Sequence, residues 1–514
     1  MRGHLSPANP GTPSADAAVS RAAPTRRLWL WLPLAAAAAV LLGWAGSWWH
    51  ARAASAEIRS VAVLPFLDMS PRKDADWYCD GVTDGIIDAL SRVAGLHVVS
   101  RTSAFQFKSK ARNLRYVGQQ LGVAAVLQGS VQEVGDRLRF SAQMNRTADG
   151  YRLWSRTFDL REVDSFRIPR EIAATLARRI QLRSAAASSR RHQPPQEAYR
   201  AYLEGRYFFN RPEPESLDRA VDRLEQATVI DPEFALAWAW LSIAREYRVD
   251  RGMAPPNQAM PGSRDAAERA VALDPDCTEA HLALGIVKLQ YDWDWPGARQ
   301  ELDRALQLSP ESGSVLHWSA HWLETQGRMN EAIAEMQRAL SLDPLSGAIL
   351  DDLVRQYLSI RQPDRALPFA RKAVELNPDD GPSRLALAGA LWFAGQERNS
   401  RQTVDELLKS PAGANLPAFA LACLGAQQGD PAPARQLLDE AEDQPADHFL
   451  PAAAYARLAG AVHDWDRFFS WTEEAYDQRS VQLPYLRLSP DVPQSDPRFA
   501  AFLERMNLPV SPAQ

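Results

Sequence analysis

The sequence predicts a small α+β sandwich of order βαβαβββα, then an all-α solenoid, both standing behind a single N-terminal transmembrane helix. Three observations predict it. Residues 28–49 (LWLWLPLAAAAAVLLGWAGSWW) run for 22 residues without a charge. Short apolar and β-branched runs alternate with amphipathic stretches between residues 57 and 182. Beyond residue 196, helix-ending prolines recur about every 34 residues.

The 514 residues are too many for one core. A composition of 46% hydrophobic and 24% charged residues excludes a wholly disordered chain. With 58 Lys and Arg against 63 Asp and Glu, the net charge is −5, so no bulk basic field recruits nucleic acid. The three cysteines (Cys79, Cys277, Cys423) form no CxxC pair. That spacing excludes a disulfide scaffold and a cysteine-based zinc module.

Residues 1–27, rich in Pro, Ala and Ser, read as a disordered tail with too little length for an effector domain. The charge-free run that follows would span about 33 Å as a helix, enough for a bilayer core of about 30 Å. Trp29 and Trp31 stand near one end and Trp48 and Trp49 at the other, as interfacial belts require. Arg21, Arg26 and Arg27 precede the span, which orients the tail to the cytoplasm and the bulk outside it. Ala54-Ser55-Ala56 offers a cleavage site, but the run exceeds the usual length of a signal-peptide core, so an uncleaved anchor is the expectation.

In residues 57–182, strands are expected at 59–66, 97–100, 124–134, 137–145 and 151–158. Gly135-Asp136 supplies a two-residue hairpin turn. Helices are expected at 76–93, with Val82, Ile86, Ile87 and Leu90 at helical spacing, and at 163–182. Another starts at Asn113, a good N-cap, and stops at Gly122.

The stretches VAVLPF (61–66), DGVTDGIIDALSRVAGLHVVSRTSAFQFK (80–108) and LGVAAVLQGSVQEVGDRLRFSAQMNRTADGYRLWSRTFD (121–159) resemble the TolB-like amino-terminal domain. In bacteria that domain commonly precedes tetratricopeptide repeats, behind the effector domains of CadC-type regulators, adenylate cyclases or kinases. The resemblance implies a bacterial inner-membrane protein with its bulk in the periplasm. It implies no transcriptional or cyclase activity here, because no effector is expected before the span.

Residues 183–196 read as a linker. The repeats, residues 197–482, are closed by Pro232, Pro275, Pro310, Pro344, Pro378, Pro411 and Pro445, at steps of 43, 35, 34, 34, 33 and 34. A 34-residue helix–turn–helix period with a closing proline is the tetratricopeptide signature, and about eight repeats are expected. Ala298, Ala305, Ala332, Ala339, Ala366 and Ala373 fall where paired helices cross closely. The 43-residue step suggests a loop of about nine extra residues around Gly252–Gly262, judged against the 34-residue period. Residues 483–514 are expected to cap the last repeat and trail off.

No Walker, HExxH or GxSxG sequence occurs, so no enzyme activity, cofactor or metal is expected. The groove positions of the repeats give the candidate protein-binding surface: Ser314, His317, His321 and Glu324, then Ala348, Asp351, Arg355 and Leu358. His317 and His321, four apart on one helix, could also ligate a metal, with Asp351 as a third group, but groove lining is the preferred reading. Trp318 and Trp322 are expected between helices. Asp80, Thr83, Asp84 and Asp88 read as helix-start capping residues, Arg101, Lys108, Lys110, Arg112 and Arg115 as a solvated basic loop, and Cys79 as inert. The expected function is a membrane-anchored, non-catalytic scaffold that binds proteins or peptides. The alternative is a sensing or accessory component of a CadC-like system whose effector is a separate protein.

Overall fold

The computed structural model describes residues 58–510, apart from 72–74, 109–112, 135–136, 162–165, 181–191, 212, 411–412, 414–417, 444–450 and 490. The expected tail, membrane span, Ala54–Ala56 site, hairpin-turn residues, Lys110, Arg112, Pro411 and Pro445 lie outside the described residues. So does most of the linker. Among the described residues no helix is long and apolar enough to cross a membrane.

The N-terminal portion is a mixed sheet. Its strands are β1 (Ser60–Val63), β2 (Leu67–Asp68), β3 (His97–Val98), β4 (Ala125–Val134), β5 (Arg137–Arg146) and β6 (Arg152–Arg161). They lie in the order β3-β1-β4-β5-β6, with β2 also paired to β4. β1 runs parallel to β3 and β4, whereas β4, β5 and β6 form an antiparallel meander. Val134 pairs with Arg137, so the first hairpin closes over two residues. The helices are α1 (Asp76–Ser91), α2 (Arg101–Phe105), α3 (Leu114–Leu121) and α4 (Ile168–Arg179). The Asn113 carboxamide accepts from the Arg115 and Tyr116 N–H groups, and Gly122 at φ 67° ends α3 in the left-handed conformation.

The order is thus ββαβααβββα, which corrects the simpler βαβαβββα. Pro65 interrupts the first apolar run, so the chain leaves β1 and resumes pairing as β2 two residues later. The expected strand to Ser100 stops at Val98, because Ser100 starts α2.

Ala125, Val126 and Leu127 are all buried because helices cover both faces of the sheet there. On one face, Val82, Ile86 and Leu90 of α1 and Ile168, Ile172 and Leu176 of α4 pack on Val61, Val63 and Phe140. On the other, Val117 and Leu121 of α3 pack on Ala62, Leu64 and Val126.

The rest is helical. Eight antiparallel pairs follow among the described residues: α5 (Gln196–Phe209) with α6 (Pro214–Ile230), α7 (Ala235–Asp250) with α8 (Pro256–Leu273), and α9 (Thr278–Val287) with α10 (Trp295–Leu308). Then come α11 (Gly313–Thr325) with α12 (Met329–Leu342), α13 (Gly347–Ser359) with α14 (Pro363–Leu376), and α15 (Gly381–Phe393) with α16 (Glu397–Leu408). The last are α17 (Ala418–Gln427) with α18 (Ala432–Glu442) and α19 (Ala452–Ala461) with α20 (Trp465–Asp477). A 3-10 turn (Leu483–Leu488) and α21 (Pro497–Arg505) end the described chain. Ser312, Ser346 and Asp380 cap α11, α13 and α15 at the repeat period, each side chain accepting an N–H three residues on. The alanines at the helix crossings are at most 1% exposed.

Two irregular steps have structural solutions. The nine extra residues before Pro275 do not form a loop. Relative to the pair α11 and α12, α7 has 16 residues instead of 13 and α8 has 18 instead of 14, and the turn between them is only two residues longer. Helix extension keeps the added backbone hydrogen-bonded, which a loop would not. The 35-residue step is absorbed at Lys288–Asp292, a π-turn that continues α9, the form one inserted residue takes in a helix.

The sheet portion is packed on the array. Its core runs on into Ala198, Tyr202, Leu203, Leu224 and Leu241. A second junction lies at the turn after α12, where Asp343 accepts from the Ser103 N–H and hydroxyl, and Ser103 Oγ accepts from the Leu345 N–H.

Candidate functional site

The array curls until its end meets its middle. Trp295 Nε1 donates to the Met506 carbonyl at 2.8 Å, and Asn257 to the Asp477 carbonyl at 2.9 Å. Phe468, Phe499 and Phe502 share a core with Leu289, Trp293 and Trp295. Helix α21 therefore covers the last pair, with Arg505 on Glu473, and the next residue, Met506, meets Trp295 at the start of α10. The 3-10 turn Leu483–Leu488 does something else: it enters the inner side of the array, against α11 and α13. The Tyr485 ring meets His321 edge-on at 5.6 Å, and Arg487 Nη1 donates to the Thr325 carbonyl at 3.2 Å.

The expectation of an open groove is therefore corrected; of its eight positions Ala348 is exposed. The inner wall at α11 and α13 is covered by the protein's own chain. Four of the other seven come together there. His317 Nε2 lies 2.7 Å from Asp352 Oδ2 and 3.1 Å from His321 Nε2. His321 Nδ1 donates to Glu324 at 2.8 Å. Glu324 is fully buried, accepting from Gln356 at 2.7 Å and Arg355 at 3.1 Å. Arg355 also donates to Asp352 at 2.8 Å.

The other three stand apart. Ser314 is exposed, Asp351 accepts from Ser383 of the next repeat, and Leu358 packs against the core of the middle repeats. Asp352, Gln356 and Tyr485 belong to the cluster and were not expected there. The acid that meets the histidines is thus Asp352, one position on from Asp351. One residue along a helix is a rotation of about 100°, which separates the two carboxylates.

Charge in this interior is matched by close pairing. Burial alone would lower the His321 pKa, but the Glu324 and Asp352 carboxylates outweigh it and raise it to about 10, so the ring is an imidazolium at neutral pH. Asp352 is held well below the usual carboxylate range by His321 and Arg355 despite its burial. Glu246 of α7, 2% exposed, is pushed well up by burial and by Asp250, and its Oε1 has no hydrogen-bond partner among the described residues. Trp318 and Trp322 pack between helices, with Trp322 Nε1 donating to the Trp295 carbonyl.

The acidic face of α1 is also built into the interior. The N-cap position is Ala75, which makes no side-chain capping hydrogen bond, and Thr83 Oγ1 accepts from the Phe66 N–H while donating to the Cys79 carbonyl. Asp80 pairs with Lys108, and Asp84 with Arg101 and Arg206. Arg101 and Lys108 are thus pairing residues, not members of a solvated loop. Burial pushes the Cys79 thiol up, away from the reactive thiolate. Asp84, Asp88, Arg92, Arg206, Tyr202 and Glu279 line a cavity of about 200 Å³ where the sheet portion meets the array.

Residues 56–175 match the family described as HilA/YgeH-like transcriptional regulator, second domain, and residues 314–344 match the tetratricopeptide repeat. A protein named putative adenylate cyclase 3 from Rhizobium meliloti (strain 1021) is 35% identical over 188 residues. Those residues are 36% of this chain and 32% of that protein, so the match spans about a third of the relative's length. Among solved structures, a thermophilic tetratricopeptide-repeat protein from Thermus thermophilus is 21% identical, with a TM-score of 0.32, covering 38% of this chain and 99% of its own. PilW, a type IV pilus biogenesis factor, is 15% identical with a TM-score of 0.35, covering 42% and 96%. The chain therefore joins a segment similar to the second domain of a HilA/YgeH-like regulator to an array with a tetratricopeptide repeat at its centre.

Proposed function

We propose that this chain is a non-catalytic protein-interaction scaffold, held at the bacterial inner membrane by residues 28–49, with the sheet portion and the repeats in the periplasm. The observation that supports it most is the seating of Leu483–Leu488 on the inner wall. A wall that holds one stretch of polypeptide through a ring contact and a backbone carbonyl has the chemistry to hold another. The tethered segment competes at an effective concentration on the order of millimolar, so a partner must displace it.

The test is fluorescence anisotropy with a labelled peptide of residues 480–490. The full chain carrying Tyr485→Ala and Arg487→Ala should bind it, and the unaltered chain should bind at least tenfold more weakly. Absence of binding to both would contradict the reading. Alkaline-phosphatase and fluorescent-protein fusions after residue 514 test the membrane orientation, and a cytoplasmic readout overturns it.

A second reading is favoured by the regulator match and by the cyclase-named relative. In it the chain is a sensing or accessory component of a signalling system whose effector is a separate protein, in line with the TolB-like resemblance of its motifs. Replacing residues 1–27 should then abolish signalling, whereas a pure scaffold should tolerate the exchange.

A further inference from the structure

We propose that His317, His321 and Asp352 form a binding site for a first-row divalent transition-metal ion, zinc being the best fit. Three ligand atoms of the right kind converge on one point. His317 Nε2 and His321 Nε2 are 3.1 Å apart, and Asp352 Oδ2 lies 2.7 Å from the first and 3.4 Å from the second. Ligand atoms about 2.1 Å from a tetrahedral zinc are separated by roughly 3.4 Å. An ion about 2.1 Å from all three atoms would sit roughly 1 Å out of their plane, a placement that needs little movement of the ligands.

Placement and support agree with that reading. The histidines are four apart on α11, one turn above the other, and Asp352 comes from the facing helix α13. The carboxylate–histidine–metal arrangement is complete at His321, whose second nitrogen is held by Glu324. Glu324 is itself fixed by Gln356 and Arg355, so the ring's orientation is set from behind. The three ligand side chains keep 21%, 12% and 19% exposure. Set against this, the interior already carries Arg355 and holds a proton on His321. The ion must displace that proton, and binding therefore releases it.

The full chain, in a non-chelating detergent, should take up one equivalent of Co(II) with the intense visible band of tetrahedral nitrogen and oxygen ligation, and Zn(II) should erase it. His317→Ala and Asp352→Asn should each abolish the band, Glu324→Gln should weaken affinity about 10- to 100-fold, and His463→Ala should change nothing. X-ray absorption of the zinc-loaded unaltered chain should show two imidazoles on the ion, a measurement that does not depend on any variant folding. A chain that takes up no Co(II), a band that survives in the folded ligand variants, or a shell with fewer than two imidazoles would each overturn the proposal.

Discussion

Arg206 shows how a single buried charge fixes the junction between the sheet portion and the array. It is 5% exposed, donates to Asp84 and Tyr202, and lies 3.7 Å from the centre of the Trp240 ring. Arg206→Ala would leave Asp84, itself 3% exposed, short of its buried partner. Because Arg101 still pairs with Asp84, the loss should fall short of the about 3–5 kcal/mol of a fully broken buried pair, measurable as a lowered midpoint in urea. Asp343 sets a pH dependence at the other junction. Burial raises its pKa to about 6 from an ordinary 3.8, although the Ser103 hydrogen bonds oppose the shift. The folded state therefore holds this proton more tightly than the unfolded one, so stability should fall as pH rises from about 4 to about 6 and level off above. A shift of about two units corresponds to roughly 3 kcal/mol, which Asp343→Asn should remove when unfolding is compared at the two ends of that window. A slope of the opposite sign, or one unchanged in Asp343→Asn, would contradict the assignment.

At the scale of elements, helix ends and helix crossings carry the fold. Gly122 needs its left-handed φ to stop α3, whereas Gly347 opens α13 with open space around it and an ordinary φ. Gly122→Ala should therefore cost about 1–2 kcal/mol in thermal unfolding. Gly347→Ala should be neutral or slightly stabilising. Ala339, fully buried where α12 meets its neighbours, should tolerate no larger side chain, and Ala339→Leu should cost about 1–3 kcal/mol.

These local features were legible because each is written in adjacent residues. Asn113 and Gly122 bracket one helix, the alanines mark the crossings, and closing prolines count the repeats. The short strand β2 and helix α2 escaped because each is too brief to carry a period. The nine extra residues before Pro275 were visible in number, but not in their placement on two helices.

The whole molecule was least legible. Trp295 meets the carbonyl of Met506, 211 positions away, and Arg487 meets Thr325 across 162. Such meetings result from many small rotations between repeats, and no window of sequence holds that sum. The same curvature placed Leu483–Leu488 where an open groove was expected, while the neighbouring helices α11 and α13 buried Glu324 and brought in Asp352 rather than Asp351. The histidine pair and an acid from the next repeat were visible in sequence; that the acid is Asp352 and not Asp351 was not.

The central claim is that the inner wall of the array holds polypeptide and now holds its own C-terminal turn. A photo-crosslinking phenylalanine analogue in place of Tyr485 tests it most directly. An intramolecular crosslink to helix α11, between residues 317 and 325, is expected, identified by mass spectrometry of the digested full chain. A crosslink confined to other helices, or formed only between separate chains, would contradict it.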